Sequence, residues 1–464
     1  MKQAAVYRVV LVLLVIVRLS MTLTNLNLTV ISAGLGVAIF ILGMHRLSKI
    51  FRWASLIFFI LGILLLLVAT PNLTIVCQAI NDMLDIVTLL IVMQLFTIPI
   101  AVGHYRMAVE SFVDNRLHQP KSIFLFVMIV TNILSSILSL GTVPIIFSIL
   151  GETLRKRIPH YEEFSSKAIT RAFILGTLWS PGAATIFLIC SVTNVAWISL
   201  FIPSFLLSLL GLTISYFLER KSGLLNTVMA YHHSRPKVTH QKVELTNDKM
   251  RLLQIMFAVL GLLLLSFILI MLKIGSSMQA VTLSGIFIVS LWVLALSQKP
   301  TSRVEVRQNI RSFWHNGLFS GSSLAPFFVA VGTFSYAFEH SPLEETFAHT
   351  LSPFLSQIGW LVLIAIPIII VAMALVGIHP LASIALFGKL VVAVHLPFSP
   401  VLIALSLNIG GAVAYMLSPF AGIILVVASI LNVSAGSISI KWNWKFCAIF
   451  VTLGLGLAWL LTIF

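Results

Sequence analysis

The sequence predicts an all-α integral membrane protein of about eleven transmembrane helices and two re-entrant hairpins, arranged as inverted-topology repeats. Three observations carry the prediction: an apolar composition, a one-sided distribution of basic residues, and three sequence matches in register between the two halves. Of the 464 residues, 59% are hydrophobic and 9% charged, whereas an ordinary soluble domain carries about 25% charged residues. So little polar side chain cannot cover a water-facing surface of this size, but lipid solvates an apolar exterior.

A spanning helix needs roughly 20 apolar residues. That places spans at 6–22, 28–45, 53–70, 84–103, 168–193, 196–218, 252–272, 279–297, 313–336, 399–433 and 445–463. The run Val9 to Val17 resembles a signal-peptide core, but no small-residue cleavage site follows it, so it reads as a retained first helix. Residues 1–70 are expected to form peripheral N-terminal helices, and 71–218 a first repeat with a hairpin at 122–152. Residues 219–251 read as a cytoplasmic linker, and 252–464 as a second half with its repeat core at 313–464 and a hairpin at 357–395. The linker holds His232, His233, Arg235 and Pro236. It reads as a solvated loop, with a metal site at the His pair as the alternative. Cys77, Cys190 and Cys447 are widely separated and show no metal-ligand spacing.

The net charge of +15 raises a nucleic-acid partner, and the positions of the charges exclude one. With the N-terminus inside, 26 of the 29 basic residues fall on the inner side, leaving Arg18, Lys273 and Lys389. The positive-inside rule accounts for this excess, and it puts the C-terminus outside. A single crossing by 122–152 would put Arg155–Arg157, or else Arg116 and Lys121, on the wrong side. A hairpin that enters and returns keeps both clusters inside. Each arm would hold about 15 residues, or roughly 22 Å of helix, reaching past the midplane. Non-helical backbone at that depth is tolerated only where protein or a water-filled cavity surrounds it, so a hairpin tip marks a candidate site.

The repeat is visible in three places. Ser180-Pro-Gly-Ala183 through Asn194 and Val195 matches Ser418-Pro-Phe-Ala421 through Asn432 and Val433, with seven identities over 16 ungapped positions. Ala101-Val-Gly103, Ala108 and Glu110 match Ala330-Val-Gly332, Ala337 and Glu339, and Gly141-x-x-Pro144 matches Gly377-x-x-Pro380. The separations are 238, 229 and 236 residues, in the same order along the chain. An odd number of crossings lies between equivalent points, so the repeat is expected to be inverted. Transporters use this plan and bind substrate near the midplane where broken helices meet.

Proline removes a helical N–H and clashes with the preceding turn, so Ser180-Pro181-Gly182 and Ser418-Pro419 should interrupt their helices. Gly141 and Gly377 mark the hairpin tips. A broken helix directs free N–H groups and its positive end at the gap, which suits an anion or carboxylate. Carbonyls at the other half-helix ends suit Na⁺. Ser139, Gly141, Thr142, Ser180, Pro181, Gly182, Gly377, His379, Ser383, Ser418 and Pro419 are the candidate substrate-binding residues. Thr177, Asn194, Asn408 and Asn432 are the candidate ion ligands, with Tyr415 in the same neighbourhood; helix-packing hydrogen bonds are the competing reading for each. His379 can bind an anion or carry a proton, or be a packed structural histidine. Lys389 and Arg18 are expected to snorkel outward. All fourteen acids fall at helix ends or in loops.

Eleven spans, two hairpins of opposite orientation, an inner N-terminus and an outer C-terminus resemble the ion transporter superfamily, best known for its divalent anion/sodium symporters. The resemblance covers essentially the whole chain and rests on architecture. That family marks its tips with Ser-Asn-Thr triplets, whereas the tips here read Ser139-Leu-Gly-Thr142-Val-Pro144 and Val376-Gly-Ile-His379-Pro380. The resemblance implies a substrate held between the two tips and the two Ser-Pro breaks, an elevator-like motion, and a homodimer.

The sequence therefore predicts a secondary transporter for a small anionic solute, coupled to Na⁺ or H⁺, with no other cofactor and with membrane lipid around it. The alternative is a lipid or polyprenyl-phosphate translocator, which would open laterally between the repeats. A membrane enzyme is disfavoured, because no intramembrane Ser/His, Asp-pair or metal-ligand cluster stands out. The short loops fit a bacterial cytoplasmic membrane.

Overall fold

The structure is a computed structural model. It describes the chain apart from residues 1, 25, 69–71, 104, 106–112, 114–116, 118, 139–141, 227–244, 299, 344, 345, 347–349, 351–358, 395 and 464. All regular structure among the described residues is helical. The chain opens with α1 (Lys2–Thr24), α2 (Thr29–Gly43) and α3 (Lys49–Val68), followed by α4 (Leu73–Asn81), α5 (Leu84–Met93) and α6 (Thr97–Val102). Next come α7 (Pro120–Leu138), α8 (Thr142–Arg157), α9 (Tyr161–Trp179), α10 (Ala184–Thr193) and α11 (Trp197–Lys221). The second half opens with α12 (Leu245–Met271), α13 (Ser277–Leu296), α14 (Pro300–Ser312), the short α15 (Leu318–Gly321) and α16 (Ala325–Glu339). It ends with α17 (Leu361–Leu375), α18 (Pro380–Ala393), α19 (Pro400–Leu417), α20 (Gly422–Leu431) and α21 (Trp442–Ile463).

Local sequence explains where these helices start. Asn72 accepts from the Ile75 amide at 2.9 Å and caps α4. Ser276 and Gln279 form a reciprocal capping box at α13. Ser399 caps α19 and is followed by Pro400 at the first helical position, where a missing N–H costs nothing. The His pair of the linker lies outside the described residues.

Eleven helices among the described residues are long and apolar enough to cross a membrane. Ten overlap predicted spans. The eleventh is Pro120–Leu138, the first arm of the predicted 122–152 hairpin, which at 19 residues is longer than expected. The predicted 313–336 span is instead the later part of a bent pair, Ser302–Ser320 and Ala325–Glu339, which meet at 41°. The arms of the second hairpin, Leu361–Leu375 and Pro380–Ala393, hold 15 and 14 residues, too few to cross a hydrocarbon layer about 30 Å thick. Large apolar side chains such as Phe257 and Leu264 on α12 are more than 60% exposed, the surface that lipid covers.

Packing sorts the helices into two bundles. The first comprises α1–α6 with α12–α16, and its tightest pair is α3 against α16. There a Cβ on Gly62 would come within 2.9 Å of the Phe334 amide nitrogen, so only glycine lets the two backbones approach so closely. The second bundle comprises α7–α11 with α17–α21, built on α9 against α7 and on α19 against α17. Each half of the sequence thus contributes one segment to each bundle, in the same order. Among the described residues contact between the bundles is sparse, made chiefly where α5 meets α10, the turn Gln94–Phe96 meets α7, α13 meets α11, and α16 meets α18.

Candidate functional site

The two Ser-Pro breaks have the same construction. α9 stops at Trp179 and α19 at Leu417, and Ser180 and Ser418 leave the helical conformation with ψ of 129° and 118°. The Ser180 hydroxyl, fully buried, donates to the Ser136 carbonyl at 2.6 Å and accepts from the Gly182 amide at 2.9 Å. The Ser418 hydroxyl donates to the Ala374 carbonyl at 2.9 Å and accepts from the Phe420 amide at 3.3 Å. In each case the carbonyl lies 44 residues earlier, in the last turn or two of α7 or α17. Each serine therefore pins the end of a hairpin arm to a helix break. Beyond each break runs a ten-residue helix whose first turn has no side-chain cap. Its leading N–H groups are thus left for a ligand or solvent.

Around the second break, several predicted residues come together. Gly377 has φ +94°, a conformation that glycine adopts without the Cβ penalty. A Cβ built there would face the Phe420 ring at 3.9 Å. His379 caps the start of α18, and its Nδ1 accepts from the Leu381 amide at 3.2 Å. Its ring lies 4.3 Å from Phe51 of the first bundle and 5.5 Å from Tyr415 on α19. Ser383 is buried one turn further on, its hydroxyl 3.5 Å from the His379 carbonyl. Pro419 completes the break next to Phe420.

The first break is more closed. Pro181 and Gly182 are buried, and a Cβ on Gly182 would sit 3.3 Å from Met93 Cγ of the first bundle. Ser139 and Gly141, predicted at the first tip, lie outside the described residues. Thr142 opens α8, fully buried, and its hydroxyl has no hydrogen-bond partner among the described residues. Helices of the two halves of the sequence also pack across each other: α18 on α10, and α8 on α20.

The candidate ion ligands are not brought together. Thr177 donates back to the Ile174 carbonyl at 2.7 Å. Asn408 is buried and donates to the Leu178 carbonyl at 3.0 Å and to Ser204 at 3.1 Å, fastening α19 to α9 just before the first break. Asn194 and Asn432 terminate α10 and α20 in the left-handed conformation, with φ of 55° and 54°. That duplicated capping role is a physical reason for the duplicated residue.

These joints carry a direct prediction. Ser180→Ala removes the hydroxyl that serves a buried carbonyl and a buried amide, each worth about 1–3 kcal/mol, whereas Ser418→Ala costs less, because the Ala374 carbonyl also accepts from the Gly377 amide at 3.3 Å and the Phe420 amide is only part-buried. Both variants should show a lower thermal unfolding midpoint in detergent. A midpoint equal to the parent's would remove the pinning role.

Two charged residues depart from expectation. Lys389 does not snorkel outward: its Nζ lies 3.0 Å from Glu339, with 7% of its side chain exposed. Asn194 donates to the other Glu339 oxygen at 3.3 Å. Arg18 likewise pairs with Asp85 at 2.6 Å, and Gln279 donates to the second Asp85 oxygen at 3.0 Å. In both cases a carboxylate at a helix end sits close enough to hold the cation inside the protein.

A further cluster joins three helices of the second bundle. Glu219 accepts from Lys167 at 2.8 Å and Arg171 at 2.9 Å, and Glu163 lies 2.6 Å from the same lysine. Arg171, fully buried, also donates to Asn443 at 2.8 Å and to the Trp442 carbonyl at 2.9 Å. The available signal was the four-residue spacing of Glu163, Lys167 and Arg171, which puts all three on one face of α9. Buried Asn132 on α7, which donates to the Ala172 carbonyl and to Ser208, had no signal beyond its polarity within an apolar run.

Between the bundles lies a cavity of about 420 Å³, lined by Thr97, Ile98 and Tyr105 from the α6 end, Ile145 and Ile149 from α8, and Asn309, Ser312, Phe313 and Gly317. Ile145 and Ile149 follow Thr142 at three and seven residues, so the α8 face that walls the cavity leads to that unpartnered hydroxyl. The cavity and the Glu339–Lys389 pair thus both lie on the boundary between the bundles.

No protein-family model and no characterised protein sequence matches this chain. Its structure is similar to that of Neisseria gonorrhoeae MtrF, which is described within a class of antimetabolite efflux pumps. The TM-score is 0.60 at 13% identity, over 87% of this chain and 94% of that one. It is also similar to the Alcanivorax borkumensis YdaH transporter, described as having an unusual topology, with a TM-score of 0.58 at 12% identity over 87% and 98% of the two chains. This chain has the fold of an α-helical membrane transport protein.

Proposed function

We propose that the chain is a secondary active transporter that moves a small, anionic solute across the membrane, coupled to Na⁺ or H⁺. The observation that carries this reading is the duplicated break: two serine-pinned gaps, each opening onto a short helix with uncapped N–H groups. Such a pair offers fixed positive dipole ends to an anion without a buried basic side chain. His379 and Thr142 are the side chains placed to complete the site, while Ser180 and Ser418 hold its frame. The second bundle, sparsely attached to the first, is the part that moves in an elevator-like step. The ion transporter superfamily remains the architectural template for this reading, with inverted repeats, hairpins that re-enter the membrane, and an inner N-terminus.

The test is transport in proteoliposomes with a pooled panel of labelled carboxylates, inorganic anions and antimetabolites, with and without Na⁺ and pH gradients. Both directions are followed, because one structural neighbour is described as an efflux pump. The expected result is gradient-dependent movement of one compound, and the stimulating gradient names the ion. Silence across the panel from well-inserted protein overturns the reading and shifts weight to a lipid-linked anion. Orientation has its own check, with cysteines introduced for Lys156 and Pro397, both exposed. Impermeant reagent should label the first only from inside and the second only from outside; labelling from one side would remove the inverted arrangement.

A further inference from the structure

Helix α14 begins four residues after α13, a spanning helix, ends at Leu296. It is held back against that end by Arg303 Nε, which donates to the Ser297 carbonyl at 2.9 Å. A helix in that place starts at the level of the lipid headgroups. Arg303, Arg307 and Arg311 recur every four residues, so they turn through only about 80° around the axis. All three are exposed. Arg307 and Arg311 take part in none of the ion pairs among the described residues.

Apolar side chains share this outer face. Val304, Ile310 and Trp314 are 59%, 49% and 41% exposed, and helical spacing puts them within or just beside the arginine arc. Guanidinium groups interleaved with an indole and two branched aliphatics match a membrane interface, where phosphates meet the upper acyl chains. The opposite face of the same helix is different. Val306 is buried there, and Asn309, Ser312 and Phe313 line the cavity between the bundles. Directly after α14, Phe313–Gly317 is wound as a π-helix, a form that often marks functional positions.

We propose that the outer face of α14 is a binding site for anionic phospholipid headgroups. Their phosphates, held by Arg303, Arg307 and Arg311, set the position of the cavity wall formed by Asn309, Ser312 and Phe313. The occupant is bilayer lipid because the face combines charge with exposed apolar side chains, which a free anion would not need. This goes beyond the transport reading and is measured without it.

The experiment is native mass spectrometry of the full chain released from nanodiscs of phosphatidylglycerol and phosphatidylcholine. The parent should retain phosphatidylglycerol in preference to phosphatidylcholine, with millimolar inorganic phosphate leaving retention unchanged. An Arg303→Gln/Arg307→Gln/Arg311→Gln variant should retain it roughly tenfold less or weaker still, since each basic residue near an anionic surface adds about a fivefold preference. A control that removes three exposed charges elsewhere, Arg155→Gln/Lys156→Gln/Arg220→Gln, should retain it as the parent does. Equal loss in both triples, or no loss in the first, overturns the proposal, as does displacement by inorganic phosphate. If the first triple does not fold, Arg307→Gln alone is read in the same way against Lys156→Gln.

Discussion

Glu219→Gln is expected to cost the fold about 3–5 kcal/mol, the penalty for leaving a buried charge without its partner. Glu219 is 1% exposed and balances both Lys167 and the fully buried Arg171. Lys167 retains Glu163 at 2.6 Å after the change, but Arg171 retains only neutral acceptors, Asn443 Oδ1, Ser215 Oγ and the Trp442 carbonyl. The expected result is a sharply lower unfolding midpoint in detergent, with loss of the α9–α11–α21 contact as the first event. Removing both charges with Arg171→Leu/Glu219→Leu should recover part of the loss, because a buried pair replaced by apolar side chains is often close to neutral. A single variant as stable as the parent, or a double variant worse than the sum of the singles, would show that the cluster does not hold these helices together.

Much of this architecture is legible in the sequence because lipid simplifies the reading. Long apolar runs can only be helices at membrane depth, so ten of the eleven observed spans lie on predicted ones. The Ser-Pro breaks are legible too, since proline acts on its own helix without help from neighbours. The helix before the bend at 321–324 lies outside the predicted spans because it carries Arg303, Glu305, Arg307 and Arg311, a composition that reads as loop. Apolar run length also fails at α4. Asn81, Asp82 and Asp85 interrupt the run, yet Asn81 and Asp85 are satisfied by Arg18.

The site was legible in outline and less so in detail. Sequence symmetry located both breaks but could not say what each serine bonds to, because Ser136 and Ala374 carry no mark of their own. Asn194 and Asn432 recur for capping geometry, a cause that pattern alone does not separate from ligand binding. Opposite charges are the hardest to place. The depth of Lys389 follows from counting residues, whereas its partner Glu339 lies 50 positions earlier on another bundle. Nothing local in the sequence joins the two.

That last pair yields the second large effect. Glu339 sits at the end of α16 in the first bundle, while Lys389 and Asn194 belong to α18 and α10 in the second. Because contact between the bundles is sparse among the described residues, the ion pair weighs on their relative position more than on either fold. Glu339→Gln removes the carboxylate in contact with Lys389 and leaves it only the more distant charge of Asp82; Glu339 itself is 38% exposed, so solvent reduces the loss to about 1–3 kcal/mol. Every 1.4 kcal/mol is tenfold in a two-state equilibrium, so the balance between bundle positions should shift by roughly fivefold to 150-fold. Hydrogen exchange in α10 and α18 should accelerate accordingly, while α9 and α11, tied by the Glu219 cluster, keep the parent's rates. The exchanged pair Glu339→Lys/Lys389→Glu should restore slow exchange, since it rebuilds the attraction. Unchanged exchange in the single variant, or uniform acceleration across both bundles, would rule out a latch at this boundary, because a latch acts on the contact and leaves the bundles intact.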